Sequence, residues 1–152
     1  MTRSDSSREP VVVVGVDGSP SSDAALRWAA HQARLTGASI RAVTTWAYPR
    51  IYGFEPGFPD DYRPDQEAER ALKEALARAS DDLDGVTVHE EVVEGQPALV
   101  LTEAAEDADL VVIGSRGHHT LSRMILGSVS QYVATHATCP AVILRPPCVE
   151  TT

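Results

Sequence analysis

The sequence predicts an α/β domain: a parallel β-sheet with helices on both faces. Five short apolar runs typical of strands alternate along the chain with four segments of helical periodicity. Residues 11–16, the first of these runs, are almost entirely valine, as expected of a strand that is covered on both faces. Because helices join successive strands, we expect right-handed crossover connections and therefore an open parallel sheet.

Apolar, β-branched-rich segments predict the strands. They are residues 11–16, 40–46, 86–92, 110–113 and Ala141–Leu144. With the helices between them they fill the 152 residues, so we expect a single domain without internal repeats.

The first helix has start and stop residues that can be read from the sequence. Ser19 or Ser22 is suited to the N-cap, and Pro20 to the first helical position. From Leu26 onward, apolar residues recur at i, i+3, i+4 and i+7, and Gly37 ends the helix.

The other three helices are predicted by the same kind of stripe. Small and apolar residues repeat at helical spacing over residues 68–79. Pro97 opens a third helix that runs towards Asp107, and a fourth helix with an apolar stripe from Val129 follows Gly127.

Boundaries follow from the polar and proline-rich segments. We expect a disordered tail at residues 1–10, one folded domain at residues 11–145 and a second tail at residues 146–152. Inside the domain, residues 48–63 form a variable loop that holds five of the six Tyr and Phe residues. A loop of this length is usually a lid, a partner surface or disordered, and a plain mobile loop is the commonest case.

Composition excludes several classes of protein. The net charge of −9 argues against a nucleic-acid partner, because phosphate neutralisation needs a basic surface. No stretch approaches the roughly 20 apolar residues that span a bilayer, and the polar N-terminus has no signal-peptide core. Two cysteines make neither a disulfide framework nor a cysteine metal site. We therefore expect a soluble, cytoplasmic protein without membrane contact.

Acidic residues are unevenly distributed. Residues 55–109 carry 17 acids and four bases, whereas residues 110–149 carry no acid and three arginines. The acid-free segment either meets an anion or consists of buried faces that exclude acids, and the acidic segment is a solvated face or a partner surface.

Two glycine-containing turns follow strands, at the edge where an open parallel sheet binds ligands. One is the turn of residues 15–19. The other contains Gly114, Gly117 and Gly127. Glycine lets backbone N–H groups close on a phosphate, and a helix beginning at Ser128 directs free N–H groups at the same anion. Ser130 and either Arg116 or Arg123 add donors and charge. A phosphate site and a turn that only reverses the chain are both compatible with this spacing.

Other nucleotide-binding plans lack their key residues. A P-loop requires Gly-x4-Gly-Lys-[Ser/Thr], but the sole lysine is Lys73, in a predicted surface helix. A dinucleotide-binding fold is excluded because the first strand is not followed by Gly-x-Gly-x-x-Gly. A response-regulator receiver is excluded because its acidic pair, phosphoacceptor Asp and lysine are not all present. We find no convincing general base or nucleophile, so slow hydrolysis of a bound nucleotide is compatible with the sequence but is not predicted. Trp28 and Trp46 are interpreted as core residues.

The pattern Gly-x2-Gly-x9-Gly-Ser formed by Gly114, Gly117, Gly127 and Ser128 resembles the ATP-binding signature of the universal stress protein family. The opening turn, residues 16–19, and the segment 139–143 are also similar to that family. The likeness covers about residues 11–144. It implies a Rossmann-like domain of the adenine nucleotide alpha hydrolase type, with strand order 3-2-1-4-5, that binds ATP.

The resemblance also implies which residues bind the nucleotide. Val16, Asp17, Ile113 and Gly114 would line the adenosine, and the backbone of Thr45 would meet the adenine edge. Arg116 and Gly117 would begin the phosphate loop. The β- and γ-phosphates would be held by Gly127, Ser128, Val129 and Ser130. Mg²⁺ would arrive with the nucleotide, because the loop shows no cage of carboxylates.

The resemblance further implies a regulatory protein that signals its nucleotide state to an unknown protein partner in a stress response. It also implies a homodimer, and the apolar last strand Ala141–Leu144 is an edge that a second copy can cover. Two rival functions stay open: an ATP-hydrolysing or nucleotidyl-transferring enzyme, and a dimeric interaction module that binds no nucleotide.

Overall fold

The computed structural model of the chain describes residues 8–49, 57–116 and 126–146. The predicted tails and the predicted loop of residues 48–63 lie wholly or partly outside these residues. Of the predicted site residues, Gly117 and the alternative cation Arg123 lie outside them.

Five parallel strands form one sheet in the order β3-β2-β1-β4-β5. The strands are β1 (Val11–Gly15), β2 (Ser39–Trp46), β3 (Val88–Glu94), β4 (Leu110–Gly114) and β5 (Ala141–Leu144). This order and the parallel pairing confirm the predicted fold class.

Four helices cover the sheet within the described residues: α1 (Pro20–Thr36), α2 (Pro64–Arg78), α3 (Pro97–Ala105) and α4 (Ser128–His136). One core cluster packs α1 and α2 on one face of the sheet, and a second packs α3 and α4 on the other. The valine run of β1 lies between the two layers, and Val13 and Val14 are fully buried. In the described residues no helix is long and apolar enough to cross a membrane.

The ends of α1 have the predicted chemistry. Ser19 is the N-cap, and its hydroxyl oxygen accepts a hydrogen bond from the N–H of Ser22 at 3.3 Å. Pro20 occupies the first helical position, and Gly37 closes the helix with a φ of 73°, a conformation that glycine adopts without strain.

Two elements begin or end away from their predicted positions. β3 starts and ends two residues later than residues 86–92, because pairing with β2 begins at Ile40↔Val88 and continues to Trp46↔Glu94. α2 begins at Pro64, four residues before the first residue of its predicted stripe, so the helix starts directly after the predicted loop.

Candidate functional site

A cavity of about 680 Å³ opens at the carboxyl ends of the central strands. It lies at the point where the strand order reverses between β1 and β4, the usual ligand position in such sheets. Ten of the eleven residues that the sequence analysis assigned to a nucleotide line it. They are Val16, Asp17, Thr45, Ile113, Gly114, Arg116, Gly127, Ser128, Val129 and Ser130.

The turn after β1 is fixed by its own side chains. Asp17 Oδ1 accepts hydrogen bonds from the N–H of Ser19 at 2.9 Å and from the Ser19 hydroxyl at 2.5 Å. The Asp17 N–H donates to Ser22 Oγ at 3.1 Å. Gly18, between them, has a φ of 80°, which permits the tight turn. The Asp17 carboxylate is therefore held in place at the edge of the cavity before any ligand arrives.

Val16 is held on both sides by β2. Its N–H donates to the Val43 carbonyl at 2.9 Å, and its own carbonyl accepts from the Thr44 hydroxyl at 2.9 Å. Thr45 belongs to the site predicted from the sequence and Thr44 does not, although the buried Thr44 hydroxyl fixes the floor of the cavity. In the sequence, Thr44 is only a threonine near the end of a predicted strand. Threonine is common in strands for other reasons, so it did not indicate a site residue.

Gly114 is required by the close approach of α1. A Cβ atom at this position would lie 2.7 Å from the backbone carbon of Ser21 and 2.8 Å from the backbone nitrogen of Ser22. The same helix start binds the loop beyond β4, because the Ser21 hydroxyl donates to the Arg116 carbonyl at 2.5 Å. Gly114 thus serves the packing of the first turn against β4 as well as lining the cavity.

The N-terminus of α4 points its backbone donors into the cavity region. Gly127 is the N-cap, and the first intrahelical bond runs from the N–H of Gln131 to the Gly127 carbonyl at 3.0 Å. The N–H groups of Ser128, Val129 and Ser130 precede that of Gln131, the first donor with an acceptor inside the helix, and therefore have no partner within it. Together with the helix dipole they favour an anion at this place.

The two serines of this helix start have different environments. The Ser130 hydroxyl is buried and donates to the carbonyls of Ser115 at 3.0 Å and Gly127 at 2.9 Å. Ser128 is exposed. The sequence predicts ligand donors from both hydroxyls, whereas the Ser130 hydroxyl stabilises the loop and leaves the Ser130 backbone N–H for a ligand.

One wall of the cavity was absent from the sequence-based site. The start of α2 contributes Pro64, Glu67, Ala68 and Ala71, which share one helix face at i, i+3, i+4 and i+7. Helical periodicity marked this face as apolar but gave no indication of what it packs against.

Trp46 also lines the cavity, which corrects its interpretation as a core residue. Its ring contacts that of Tyr48 edge-on, with a centroid distance of 5.6 Å. Tyr48 in turn lies 5.6 Å from Phe58 and 6.2 Å from Tyr62, and the last two rings stack at 5.1 Å. These four aromatic residues link the end of β2 to the segment before α2. Trp28 packs against the core cluster of α1 and α2, as expected.

Charge divides the rim of the cavity. The first turns of α3 and α4 carry no acid, whereas Glu67 in the first turn of α2 lines the cavity. Arg116 adds a positive charge near the start of α4. Among the described residues no group of three or more His, Cys, Asp or Glu side chains is arranged to hold a metal ion. The cavity therefore has an anion-compatible side at α4 and an acidic side at α2.

Comparison with known proteins assigns the family. The model of the universal stress protein family matches residues 10–145. A universal stress protein of Mycolicibacterium smegmatis is 39% identical over 141 residues, which cover 92% of this chain and 47% of that protein. The chain spans about half the length of the mycobacterial relatives that it matches. It belongs to the universal stress protein family.

Solved structures of the family share the fold. A universal stress protein in complex with cAMP is 30% identical, with a TM-score of 0.68 over 93% of this chain and 100% of that one. The universal stress protein of Archaeoglobus fulgidus in complex with dAMP is 27% identical, with a TM-score of 0.60 over 90% of this chain and 98% of that one. Each of these relatives was thus solved with an adenine nucleotide.

Proposed function

We propose that this universal stress protein binds an adenine nucleotide, with ATP as its ligand, in the cavity at the carboxyl edge of the sheet, and passes its nucleotide state to a protein partner. The observation that carries the proposal is the convergence of the α4 N-terminus and ten sequence-predicted residues on one cavity. The relatives solved with cAMP and dAMP support the choice of an adenine nucleotide.

The phosphates bind on the α4 side. The N–H groups of Ser128, Val129 and Ser130 supply three donors at the positive end of a helix dipole. The lack of acids in the first turn of α4 matters in a chain of net charge −9, since a carboxylate there would repel the phosphates. Arg116 adds the positive charge that a P-loop enzyme takes from lysine.

The nucleoside binds along the ends of β1, β2 and β4. Val16, Thr45 and Ile113 provide the strand-end contacts, and the fixed Asp17 carboxylate accepts a hydrogen bond from the sugar. Because the Asp17 turn is held by internal hydrogen bonds, little conformational entropy is lost on binding there. Mg²⁺ enters with the nucleotide and is held by phosphate oxygens and water.

Calorimetric titration with ATP, ADP, AMP and cyclic AMP, with and without Mg²⁺, tests this proposal. The informative variant is Ser128→Glu, which puts a carboxylate at an exposed position of the α4 start that helices tolerate well. Ala134→Glu, exposed on the same helix but outside the cavity lining, is the matched control.

We expect ATP to bind the wild type and the control with the same affinity. Ser128→Glu should weaken ATP binding at least tenfold. Adenosine should be affected far less, because it has no phosphate to repel. If the wild type binds no nucleotide, the rival function as a dimeric interaction module is favoured. ATP turnover at a substantial rate would favour the enzyme.

The two edges of the sheet support a homodimer through β5. Of the seven residues of β3, four are His or Glu, a common protection of an edge that stays unpaired. β5 consists of Ala, Val, Ile and Leu, and all four are only half-buried. A second copy pairing at this edge removes that apolar surface from water and satisfies the free backbone groups of the strand.

A further inference from the structure

Glu67 is the residue of the cavity whose chemistry the proposed site leaves unexplained. It lines the cavity from α2, and no hydrogen bond or ion pair joins its carboxylate to another of the described residues. Its neighbours on α2 carry out ordinary surface roles, since Asp65 pairs with Arg63 and Glu69 pairs with Lys73. Glu67 differs from both because its helix face turns towards the cavity.

The surfaces beside Glu67 suit a flat ring. Pro64, Ala68 and Ala71 form a narrow apolar strip on the same face of α2, and the small alanine side chains leave space above it. Trp46 lies at the cavity from the end of β2, and its ring is braced by Tyr48. Apolar strips and the faces of aromatic rings bind planar bases well and hold no positive charge for a phosphate.

Charge fixes which end of the nucleotide meets α2. An anion favours the α4 start, where the first turn has no acid, and avoids the α2 start, where the Glu67 carboxylate lines the cavity. The opposite end of the ligand, the base, is thereby directed to α2. A carboxylate can only accept hydrogen bonds, so the group that it meets on the base is a donor.

We propose that Glu67 determines base specificity by accepting a hydrogen bond from the exocyclic amino group of the purine, which selects a 6-amino over a 6-oxo purine. The inference rests on the proposed function, because it presupposes that a nucleotide binds with its phosphates at α4. A 6-oxo group at the same place turns an acceptor towards the carboxylate, and the two then repel. Selection against the oxo group exceeds selection against a purine with hydrogen at position 6.

The test compares dissociation constants for ATP, ITP and purine riboside triphosphate, the last of which lacks the 6-amino group. Wild type, Glu67→Ala and the control Glu69→Ala are titrated with all three. Alanine is the best helix former, so both variants keep α2, and a thermal melt verifies this. Glu69→Ala removes an equal charge from an exposed position of the same helix outside the cavity lining.

Glu67 is exposed at the cavity. We therefore expect wild type and Glu69→Ala to prefer ATP to purine riboside triphosphate by about tenfold, the low end of the scale for a hydrogen bond to a charged group, and ITP to be weaker still. Glu67→Ala should bring the three constants within about twofold of one another. An unchanged preference in Glu67→Ala, while ATP still binds the wild type, overturns the inference alone. Absence of binding by all three in the wild type overturns the proposed function instead.

A carboxylate also accepts from a sugar hydroxyl, and 2′-deoxy-ATP and 3′-deoxy-ATP distinguish the two. If Glu67 binds the base, Glu67→Ala weakens both deoxy analogues as much as it weakens ATP. If the loss disappears with one deoxy analogue and persists with purine riboside triphosphate, Glu67 binds the sugar, and the assignment to the base is overturned.

Discussion

Replacing Gly114 with alanine should destabilise the fold through one contact that the structure defines. The added Cβ atom would lie 2.7 Å from the backbone carbon of Ser21, against the 3.4 Å at which ordinary contact begins. The same Cβ atom would lie 2.8 Å from the backbone nitrogen of Ser22. Backbone atoms at the start of a helix cannot rotate aside as a side chain can. The start of α1 must therefore move away from β4 by about 0.7 Å.

This movement strains the hydrogen bond between the Ser21 hydroxyl and the Arg116 carbonyl in addition to the packing. Overpacking in a tight interior costs about 1–3 kcal/mol, and a clash with backbone belongs in the upper half of that range. For a chain of this length each kcal/mol lowers the melting temperature by about 2–4 °C, so we expect a fall of about 4–12 °C. Thermal denaturation of Gly114→Ala measures the fall in melting temperature, and urea denaturation measures the loss of free energy of unfolding.

Gly57→Ala is the matched control for this experiment. Among the described residues no atom lies within 4 Å of a Cβ at Gly57, and the φ of Gly57 is not in the left-handed region. The same substitution there should leave the stability unchanged or raise it slightly, since alanine restricts the unfolded chain. Equal melting temperatures for Gly114→Ala and Gly57→Ala would show that the close approach of α1 to Gly114 does not limit the side chain there.

Two further predictions concern α4 and the sheet edge. Ser130→Ala removes a buried hydroxyl whose proton lies between two loop carbonyls, and should cost about 1–2 kcal/mol of stability in urea denaturation. Ser128→Ala, at an exposed position, should leave the stability unchanged and weaken ATP binding. Equal stability losses for the two serines would contradict the different environments assigned to them. Val142→Lys places a charge on the half-buried edge strand β5 and should give folded monomers in sedimentation velocity. His89→Lys, on the opposite edge, should leave the dimer intact, and a folded Val142→Lys dimer would exclude this interface.

The architecture could be predicted from the sequence because its local patterns agree with its tertiary contacts. The valine run before Asp17 is buried between two helix layers, as a continuous apolar strand should be. Ser19, Pro20 and Gly37 mark the ends of α1 through local hydrogen bonding and backbone preference alone. The order of the strands is a different matter, since it followed from family resemblance and not from any pattern in the strands themselves.

The site was predicted less completely than the fold, because some of its walls come from distant parts of the chain. Glu67 and Trp46 reach the cavity only through the packing of α2 on the end of β2, which helical periodicity does not specify. The buried Ser130 illustrates a second limit. A serine at a helix start can serve a ligand or its own loop, and only the positions of the Ser115 and Gly127 carbonyls decide between them.

Amide chemical shifts report whether the N–H groups at the start of α4 bind the phosphates, on which the proposed function depends. In ¹⁵N-labelled protein titrated with ATP and, separately, with adenosine, the amides of Ser128, Val129 and Ser130 should shift strongly with ATP and weakly with adenosine. Amides at the ends of β1 and β2 should respond to both ligands. ATP that binds without moving the three α4 amides, or that moves them no more than adenosine does, would contradict the account.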